Sequence, residues 1–366
     1  MTTRFVLLGG FLGAGKTTLI SQLAHRYVAA GKRVGIVTND QAADLVDTQN
    51  LRGQGFDVGE VAGACFCCSF NNLVETAASL SKDQTPDIIL AEPVGSCTDL
   101  VATVLLPLQQ MYGDDFQLAP FGVLLKPSHG MRILDPEAGR SGFSPDAEYI
   151  FRKQLDEADY LMIGRSDQLT AEQLENCKQL LSAAAPDVPL LAVSPKTGEG
   201  VEQVMGYIES PLTAGRRVLS IDYQRYAVGE AEMGWVNLSA AASGEGEFDL
   251  DRISQTLVAD IAQQIESSEG EIAHLKVSVG ASGRNAVANV VSTGGGVDVG
   301  LQAGRLAKAP IEIIVNARVA MDPAILETIC TAATHRVAQS HALELTNCTA
   351  HALRPGAPQP THRVTT

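Results

Sequence analysis

One stretch near the start of the chain constrains the fold more than any other feature. Residues 9–18 read GGFLGAGKTT, and residues 10–17 fit the pattern G-x-x-x-x-G-K-[ST]. An apolar run, FVLLG, comes before it, and a helical pattern follows from Thr17 to Ala30. Strand, glycine-rich loop and helix in this order are typical of a P-loop, which binds phosphate. The alternative is an ordinary glycine-rich turn between a strand and a helix.

The residue types in this loop suit a nucleotide. Backbone N–H groups can curl around phosphate oxygens, and the N-terminus of the helix adds positive potential. Lys16 can neutralise the outer phosphates, while the Thr17 hydroxyl can ligate Mg²⁺. We therefore predict that the nucleotide phosphates are bound by the following residues of this stretch: Gly10, Gly13, Ala14, Gly15, Lys16, Thr17 and Thr18.

Two acidic residues are predicted to end strands near this loop. Glu92 ends the apolar run DIILAE, and Asp40 ends the run RVGIVTND. A carboxylate at the C-terminal end of a core strand beside a P-loop is placed to hold Mg²⁺ or to orient water. We therefore group Asp40 and Glu92 with Lys16 as candidate catalytic residues. The alternative for Asp40 is that it only caps the segment that follows.

The hydrophobic pattern predicts two domains. From Phe5 to about Ile208, short apolar runs alternate with helical patterns, which predicts a doubly wound, mostly parallel α/β sheet of the P-loop NTPase type in residues 1–210. The Pro/Gly/basic stretch Ser210–Arg217 is the expected boundary. Residues 217–353 are expected to form a smaller α+β domain, beginning with a strand at Val218–Val228. Residues 354–366 are Pro-rich and are expected to be a flexible tail.

Charge and cysteine content exclude several classes of protein. The 366 residues include 42 acidic and 27 basic ones, and the formal charge of -15 argues against nucleic acid or membrane surfaces as partners. No run approaches the ~20 apolar residues of a membrane helix, and the apolar opening lacks a signal-peptide cleavage pattern. Seven cysteines, three of them crowded together, do not suit a secreted disulfide framework, so we expect a cytoplasmic protein.

The crowded cysteines are Cys65, Cys67 and Cys68 in the stretch GACFCCSF, residues 63–70. The spacing predicts Cys65 and Cys67 on one side of an extended segment, with Cys68 able to swing in. Three thiolates directed at one centre suit Zn²⁺, Cu⁺ or Co²⁺ with an open fourth position. The alternatives are buried structural thiols, or a redox switch between Cys65 and Cys68.

The remaining cysteines and histidines are less informative. Cys177 and Cys330 are expected to be buried packing thiols. Cys97 is expected to be the same, although its place just beyond Glu92 and Gly95 also makes it a candidate fourth ligand. A second group gathers late in the chain and could complete a metal site or contact a client protein: His335, His341, Cys348 and His351.

The motifs together resemble a known family. GFLGAGKTTL, ND, GACFCC and EPVG occur in this order and are similar to those of the CobW-type GTPases, which are related to the HypB and UreG GTPases that insert nickel into hydrogenase and urease. The resemblance covers residues 4 to about 208. It implies that Lys16 and Thr17 hold phosphate and Mg²⁺, that Glu92 and Gly95 form the family's ExxG, and that the three crowded cysteines are its CxCC metal ligands.

The base-reading loop departs from the family pattern. Where such GTPases carry NKxD, this chain reads Gly164-Arg165-Ser166-Asp167 after the run YLMI. Asp167 can still accept two hydrogen bonds from guanine and the Arg165 stem can cover the base, but Gly164 lacks the asparagine amide. Ser194 and Lys196 follow LLAV and are placed like the second base-contacting loop. We expect guanine, with adenine or mixed specificity as the alternative.

The resemblance implies a GTPase metallochaperone that uses GTP and Mg²⁺ and carries Zn²⁺ or Co²⁺ to a client enzyme dependent on metal or cobalamin. It also allows a nucleotide-dependent homodimer. One alternative is a GTPase module that remodels such a client, with thiols that only sense metal. Another is a P-loop kinase acting on a small molecule.

Overall fold

The computed structural model describes residues 2–40, 46–80, 85–139, 141–212 and 214–365, without the side chains of residues 40, 46, 47 and 49. The chain forms two compact units. Unit 1 comprises residues 1–229 and 357–366, and unit 2 comprises residues 230–356.

Unit 1 alternates strands with helices, as the sequence predicts. Its described strands are β1 (Thr3–Gly9), β2 (Val34–Asp40), β3 (Asp57–Ala62), β4 (Ile88–Glu92), β5 (Phe116–Leu118), β6 (Gly122–Leu125), β7 (Tyr160–Ile163) and β8 (Leu190–Ala192). Its helices are α1 (Lys16–Ala29), α2 (Val46–Gly53), α3 (Phe70–Ser79), α4 (Leu106–Tyr112, after a π-helical turn Val101–Leu105), α5 (Pro127–Leu134), α6 (Pro145–Asp156), α7 (Ala171–Ala184), α8 (Val201–Glu209) and α9 (Tyr223–Ala231).

The unit 1 sheet is parallel, and β1 lies near its middle. The strand order is β3-β2-β4-β1-β6-β7-β8, and β5 also pairs with β1. Every described pairing in it is parallel. This confirms the predicted P-loop NTPase fold, and it places the loop after β1 between the ends of β4 and β6.

Both faces of this sheet are buried, which explains why its strands are apolar runs without alternation. On one face, Val6 and Leu8 of β1 pack in a cluster with Leu19 and Leu23 of α1 and with residues of α8. On the other face, Phe5 is fully buried and meets Phe116 edge to face at 5.7 Å. Each fully buried side chain of this size contributes roughly 1.5–3 kcal/mol to folding.

Unit 2 confirms the predicted antiparallel α+β domain. Its described elements are β9 (Met233–Ser243), α10 (Leu250–Ser267), β10 (Glu271–Ala281), β11 (Arg284–Val290), β12 (Asp298–Leu301), β13 (Ile311–Ala320), α11 (Pro323–Ser340) and β14 (Glu344–Leu353). The strand order is β12-β11-β10-β13-β9-β14, with antiparallel pairing throughout the described ladder. Apolar residues of α10 and α11 pack with those of the sheet in one core.

The predicted strand at Val218–Val228 is wrong, because this segment leads into helix α9. The Asp222 carboxylate accepts hydrogen bonds from the backbone N–H groups of Gln224 and Arg225, at 3.0 and 3.2 Å. Such an N-terminal cap stabilises a helix by about 1 kcal/mol and outweighs a weak strand propensity.

The division between the units lies at Gly229 and not at Ser210–Arg217. The predicted junction belongs to unit 1 because the Asp159 carboxylate, which is 1% exposed, accepts a hydrogen bond from Gly215 N–H at 2.8 Å and pairs with Arg216 at 3.2 Å. The expectation of a flexible tail also differs from the structure, where residues 357–365 make specific hydrogen bonds to unit 1. Within the part of the chain that the structure describes, no helix combines the length and apolar character needed to cross a membrane.

Candidate nucleotide and metal site

The candidate functional loops of unit 1 all leave the sheet at one edge. In a parallel sheet the carboxyl ends of the strands meet at the same edge, which is where such folds bind ligands. The P-loop follows β1, the cysteine loop follows β3, the Glu92–Gly95 segment follows β4, and the base-reading loops follow β7 and β8. The sheet therefore brings together residues that are far apart in sequence.

The backbone of the P-loop requires glycine where the motif has it. Gly10, Gly13 and Gly15 have φ values of 137°, 71° and 101°, a region that other residues rarely adopt. A Cβ at Gly10 would also lie 2.3 Å from the Leu124 carbonyl oxygen in β6. Because Gly15 ends the loop and α1 starts at Lys16, the N–H groups of the first helical turn face the loop.

Lys16, Thr17 and Glu92 meet at this loop. The Lys16 Nζ donates to the Gly10 carbonyl oxygen at 2.9 Å and lies 4.0 Å from Glu92 Oε1. The Thr17 hydroxyl donates to the same Glu92 oxygen at 3.1 Å. A hydroxyl and a carboxylate oxygen side by side are ligands that Mg²⁺ prefers, so these residues fit a magnesium nucleotide.

Gly95 presses the segment after β4 against the P-loop. A Cβ at this position would lie 2.9 Å from the backbone nitrogen of Leu12 and 2.8 Å from its side chain. The Gln154 side chain of α6 holds the same segment by donating to the carbonyl oxygens of Gly95 and Cys97, at 3.0 and 2.9 Å. Sequence reasoning did not identify Gln154, since nothing in α6 marks it as different from a surface glutamine.

The acidic end of β2 is described only in part. Asp40 closes β2, but its side chain lies outside the described residues, so its predicted role stays a prediction. Its neighbour Asn39 is buried and fastens the cysteine loop. The Asn39 amide donates to the carbonyl oxygens of Val61 and Ala64 at 2.8 and 2.7 Å, and accepts from Phe66 N–H at 2.8 Å. From the sequence, a role was predicted for Asp40 and not for Asn39.

The three crowded cysteines meet in a turn and not in the extended segment that was predicted. The Cys65 carbonyl oxygen accepts hydrogen bonds from the N–H groups of both Cys68 and Ser69, which curls the loop. Their Sγ atoms are 2.8 Å (Cys65–Cys67), 3.2 Å (Cys65–Cys68) and 3.8 Å (Cys67–Cys68) apart. Among the described residues, these three form the group of potential metal ligands whose atoms all lie within 4.8 Å of one another.

The three thiols differ in the direction in which their pKa values are shifted. Hydrogen bonding with Cys67 and Cys68 holds the pKa of Cys65 well below its usual range. The same contact with Cys65 raises the pKa of Cys67, and it raises the pKa of Cys68 to about 11. Helix α3 begins at Phe70, directly after the loop, and its N-terminus favours negative charge there. Thiolates that hold a divalent cation therefore suit this position at the start of α3.

Cys97 adds a fourth thiol to this region. It is 2% exposed and interacts with the thiols of both Cys65 and Cys67. Beyond it, Thr98 donates to the buried carboxyl of Glu157 at 3.0 Å, and burial raises the pKa of Glu157 to about 8. Cys97 therefore lies in the region where the fourth metal ligand that the sequence allowed would be needed.

A strap of unit 1, residues 357–364, runs across the cysteine loop. The backbone N–H of Gln359 donates to Cys68 Sγ at 3.2 Å. Thr361 donates from its N–H to the Cys67 carbonyl oxygen at 2.8 Å, and from its hydroxyl to the Cys68 carbonyl oxygen at 3.0 Å. Arg363 anchors the strap through an ion pair of 2.7 Å with Asp99, which is 1% exposed.

The two base-reading loops lie side by side, because Ser166 N–H donates to the Val193 carbonyl oxygen at 3.3 Å. Asp167 and Lys196 are exposed, and Ser194 is buried with its hydroxyl accepting from Thr197 N–H at 3.1 Å. Arg165 has a left-handed backbone, with φ 54°. A Cβ at position 164 would lie 3.0 Å from the Leu125 carbonyl oxygen, which explains a glycine there.

The late group of histidines and Cys348 does not converge. In the part of unit 2 that the structure describes, His335 lies on α11, whereas Cys348 and His351 lie on β14, which pairs with β9. Residues three apart on a strand point to opposite faces, so Cys348 and His351 do not face a common metal ion. Among the described residues, this late group therefore does not gather around a metal site, and its predicted contact with a client stays a prediction.

The geometry agrees with the family comparison. A model of the nucleotide-binding domain of CobW/HypB/UreG proteins matches residues 4–192. The chain belongs to this family. The match covers both the P-loop and the cysteine loop, so the two motifs are parts of one CobW/HypB/UreG domain.

Named relatives of this CobW/HypB/UreG chain are zinc chaperones. It is 26% identical to "Zinc chaperone CobW" of Sinorhizobium sp. over 53% of this chain and 59% of that one. It is 28% identical to "Zinc chaperone YeiR" of Escherichia coli over 46% and 48%. The chain thus spans about half the length of the curated relatives it matches. A crystal structure of Zn(II)-bound YjiA GTPase from E. coli covers 91% of this chain and 99% of its own, with 13% identity and a TM-score of 0.38, too low to carry an argument.

Proposed function

We propose that this protein is a cytoplasmic GTPase metallochaperone that holds Zn²⁺ as cargo on Cys65, Cys67 and Cys68 and passes it to a client metalloenzyme under nucleotide control. The observation that carries this is the set of three thiols within 4.8 Å of one another on the sheet edge that also bears the P-loop. Zinc is favoured over cobalt because thiolates suit it and the curated relatives are named zinc chaperones.

The nucleotide roles follow the P-loop. The N–H groups between Gly10 and Thr18 would surround the phosphates, and Lys16 would exchange its bond to Gly10 for a phosphate oxygen. Thr17 and Glu92 would hold the Mg²⁺ that comes with GTP, and Asp40 would assist or orient the attacking water. The magnesium ion neutralises developing phosphate charge when bound.

Guanine recognition would depend on Asp167, which is exposed and therefore accessible to a base. Its carboxylate can accept from two guanine donors that adenine lacks. The stem of Arg165 would cover one face of the base, while Ser194 and Lys196 would border the other loop. Losing a charged hydrogen bond costs ~1.5–3 kcal/mol, so we expect roughly ten- to a hundredfold preference for GTP over ATP.

Coupling between nucleotide and cargo would run through two short connections. Asn39, next to Asp40, is hydrogen-bonded to Val61 of β3 and to Ala64 and Phe66 in the first half of the cysteine loop. Gly95 contacts the P-loop and is two residues from Cys97. Loss of the γ-phosphate can shift such segments, as in other nucleotide switches, and would thereby alter the thiol site.

The test is transfer of zinc from the loaded protein to an excess of a chromogenic chelator. We expect GTP to accelerate transfer at least tenfold, equivalent to about 1.4 kcal/mol, relative to a non-hydrolysable GTP analogue. The Asp167→Asn variant is the matched control, because an amide at this position pairs with xanthine in place of guanine. XTP should drive transfer in the variant, and GTP should drive it in the parent.

Other outcomes would favour the alternatives. Equal transfer with and without GTP, together with co-purification of a client, would replace cargo delivery with client remodelling. Phosphate that appears on a small molecule and not in solution would indicate a kinase.

A further inference from the structure

The fourth thiol, Cys97, connects the nucleotide-facing segment to the cargo. It lies two residues after Gly95, which touches the P-loop, and the carbonyl oxygens of both residues are held by Gln154. Cys97 N–H also donates to the Val94 carbonyl oxygen at 3.0 Å, so the segment is a compact turn. A displacement of Gly95 would therefore be passed on to Cys97.

Cys97 stands beside the three-thiol group but not within it. Its thiol interacts with Cys65 and Cys67, whereas the described group with all ligand atoms within 4.8 Å of one another contains Cys65, Cys67 and Cys68. Tetrahedral zinc with ~2.3 Å bonds to sulfur needs its four sulfurs ~3.8 Å apart. Four-thiolate coordination would therefore require the Cys97 sulfur to come to this distance from the other three.

We propose that Cys97 is a nucleotide-gated fourth ligand, which joins the cargo zinc when GTP is bound and withdraws after hydrolysis. This inference rests on the proposed function of the same site. On joining, the Cys97 thiol loses its proton to solvent as the sulfur–metal bond forms, and on withdrawal it takes a proton up again. Four-thiolate coordination retains the cargo, and three-thiolate coordination leaves a position open to an acceptor.

The experiment uses Co²⁺ as a spectroscopic probe in the full chain, with either a non-hydrolysable GTP analogue or GDP. We expect the ligand-field bands of the parent to shift from a three-thiolate to a four-thiolate spectrum when GDP is replaced by the analogue. The Cys97→Ser variant should give the three-thiolate spectrum in both states and bind cobalt roughly 100-fold more weakly with the analogue, since one of four ligands is lost. The Cys177→Ser variant, which removes a buried thiol of α7, should behave like the parent.

The outcomes separate this inference from the proposed function. Identical spectra for parent and Cys97→Ser in both nucleotide states would overturn the gated ligand, although thiolate binding by the other cysteines would stand. Absence of any cobalt–thiolate absorption in the parent would overturn the proposed function itself. If Cys97→Ser is poorly folded, a parent spectrum that stays the same in both nucleotide states would still overturn the gated ligand.

The contacts of the strap, residues 357–364, support a second inference that does not depend on Cys97. The strap's Gln359 N–H donates to Cys68 Sγ at 3.2 Å. Pro358 and Pro360 flank Gln359 and restrict the backbone there, so the amide is presented rigidly. Thr361 fixes the same strap to the carbonyl oxygen of Cys68, and Arg363 fixes it to the carboxylate of Asp99.

We infer that Gln359 is a positioning residue for the metal cargo, because its amide hydrogen orients the Cys68 thiolate and stabilises its charge. Hydrogen bonds of this outer kind change metal affinity by ~10–100-fold when removed. The role belongs to the backbone, so the side chain of Gln359 is expected to be irrelevant.

The test compares Gln359→Pro, which deletes the amide hydrogen, with Gln359→Ala, which keeps it. Competition with a chelator should show at least tenfold weaker cobalt binding and a displaced thiolate-to-cobalt charge-transfer band for the proline variant. The alanine variant should match the parent. Equal affinity and equal spectra for the two variants would overturn the role, and a variant lacking residues 357–366 should reproduce the proline result if the strap acts as described.

Discussion

Replacing Lys16 with alanine is expected to remove Mg²⁺-GTP binding. In the structure its Nζ is buried at the base of the P-loop, 2.9 Å from the Gly10 carbonyl oxygen and 4.0 Å from Glu92. Phosphate would lose its only lysine partner from the motif, and charged hydrogen bonds of this type contribute ~1.5–3 kcal/mol each. With two such bonds lost, affinity measured by calorimetry should fall about a hundredfold or more.

The control for this variant is Lys32→Ala, which removes an exposed lysine after α1 and changes the net charge equally. It should bind nucleotide like the parent. Circular dichroism should show both variants folded, because the side chain of Lys16 contacts the loop and not the apolar cluster between α1 and the sheet. A folded Lys16→Ala protein with unchanged affinity would refute the P-loop assignment.

Replacing Cys65, Cys67 and Cys68 together with serine is expected to eliminate tight metal binding. The parent should bind about one Zn²⁺ or Co²⁺ per chain with zinc–sulfur distances of ~2.3 Å, and cobalt should produce thiolate charge-transfer absorption. Hydroxyl oxygens at the same positions are poor ligands for these metals, so the absorption should vanish and zinc affinity should fall more than ~1000-fold.

A Cys330→Ser variant is the control, since it removes a fully buried thiol from α11 of unit 2. Its metal stoichiometry should equal that of the parent. If the triple variant retained the parent's affinity, the cysteine loop would not be the cargo site, whatever the result for nucleotide binding.

Local motifs made much of this predictable. The P-loop could be identified because its conformation requires glycine, which is visible in the sequence. Its glycines adopt positive φ values, and Gly10 lies against β6. The meeting of Thr17 with Glu92 followed from strand order, since β4 lies beside β1. The fold class could be predicted because apolar runs of strand length alternate with helical patterns along the sequence.

Other features depend on contacts that no local pattern encodes. The strap joins Gln359 to Cys68 across 291 positions, and its Pro-rich composition resembles that of unstructured tails. Helix α9 depends on one aspartate cap, Asp222, in a segment rich in strand-like residues. Asn39 looked like a neighbour of the catalytic candidate Asp40, but its amide holds the cysteine loop.

The strand order has a consequence for how such proteins can diverge. The cysteine loop leaves β3 at one margin of the sheet, whereas the base-reading loops leave β7 and β8 at the opposite margin, with the P-loop between them. Under the proposed function, substitutions in the eight residues Gly63–Phe70 would therefore alter the metal cargo without rebuilding the loops that would read the base. Under the same proposal, the metal that is carried would change while the nucleotide site that drives its release stays the same.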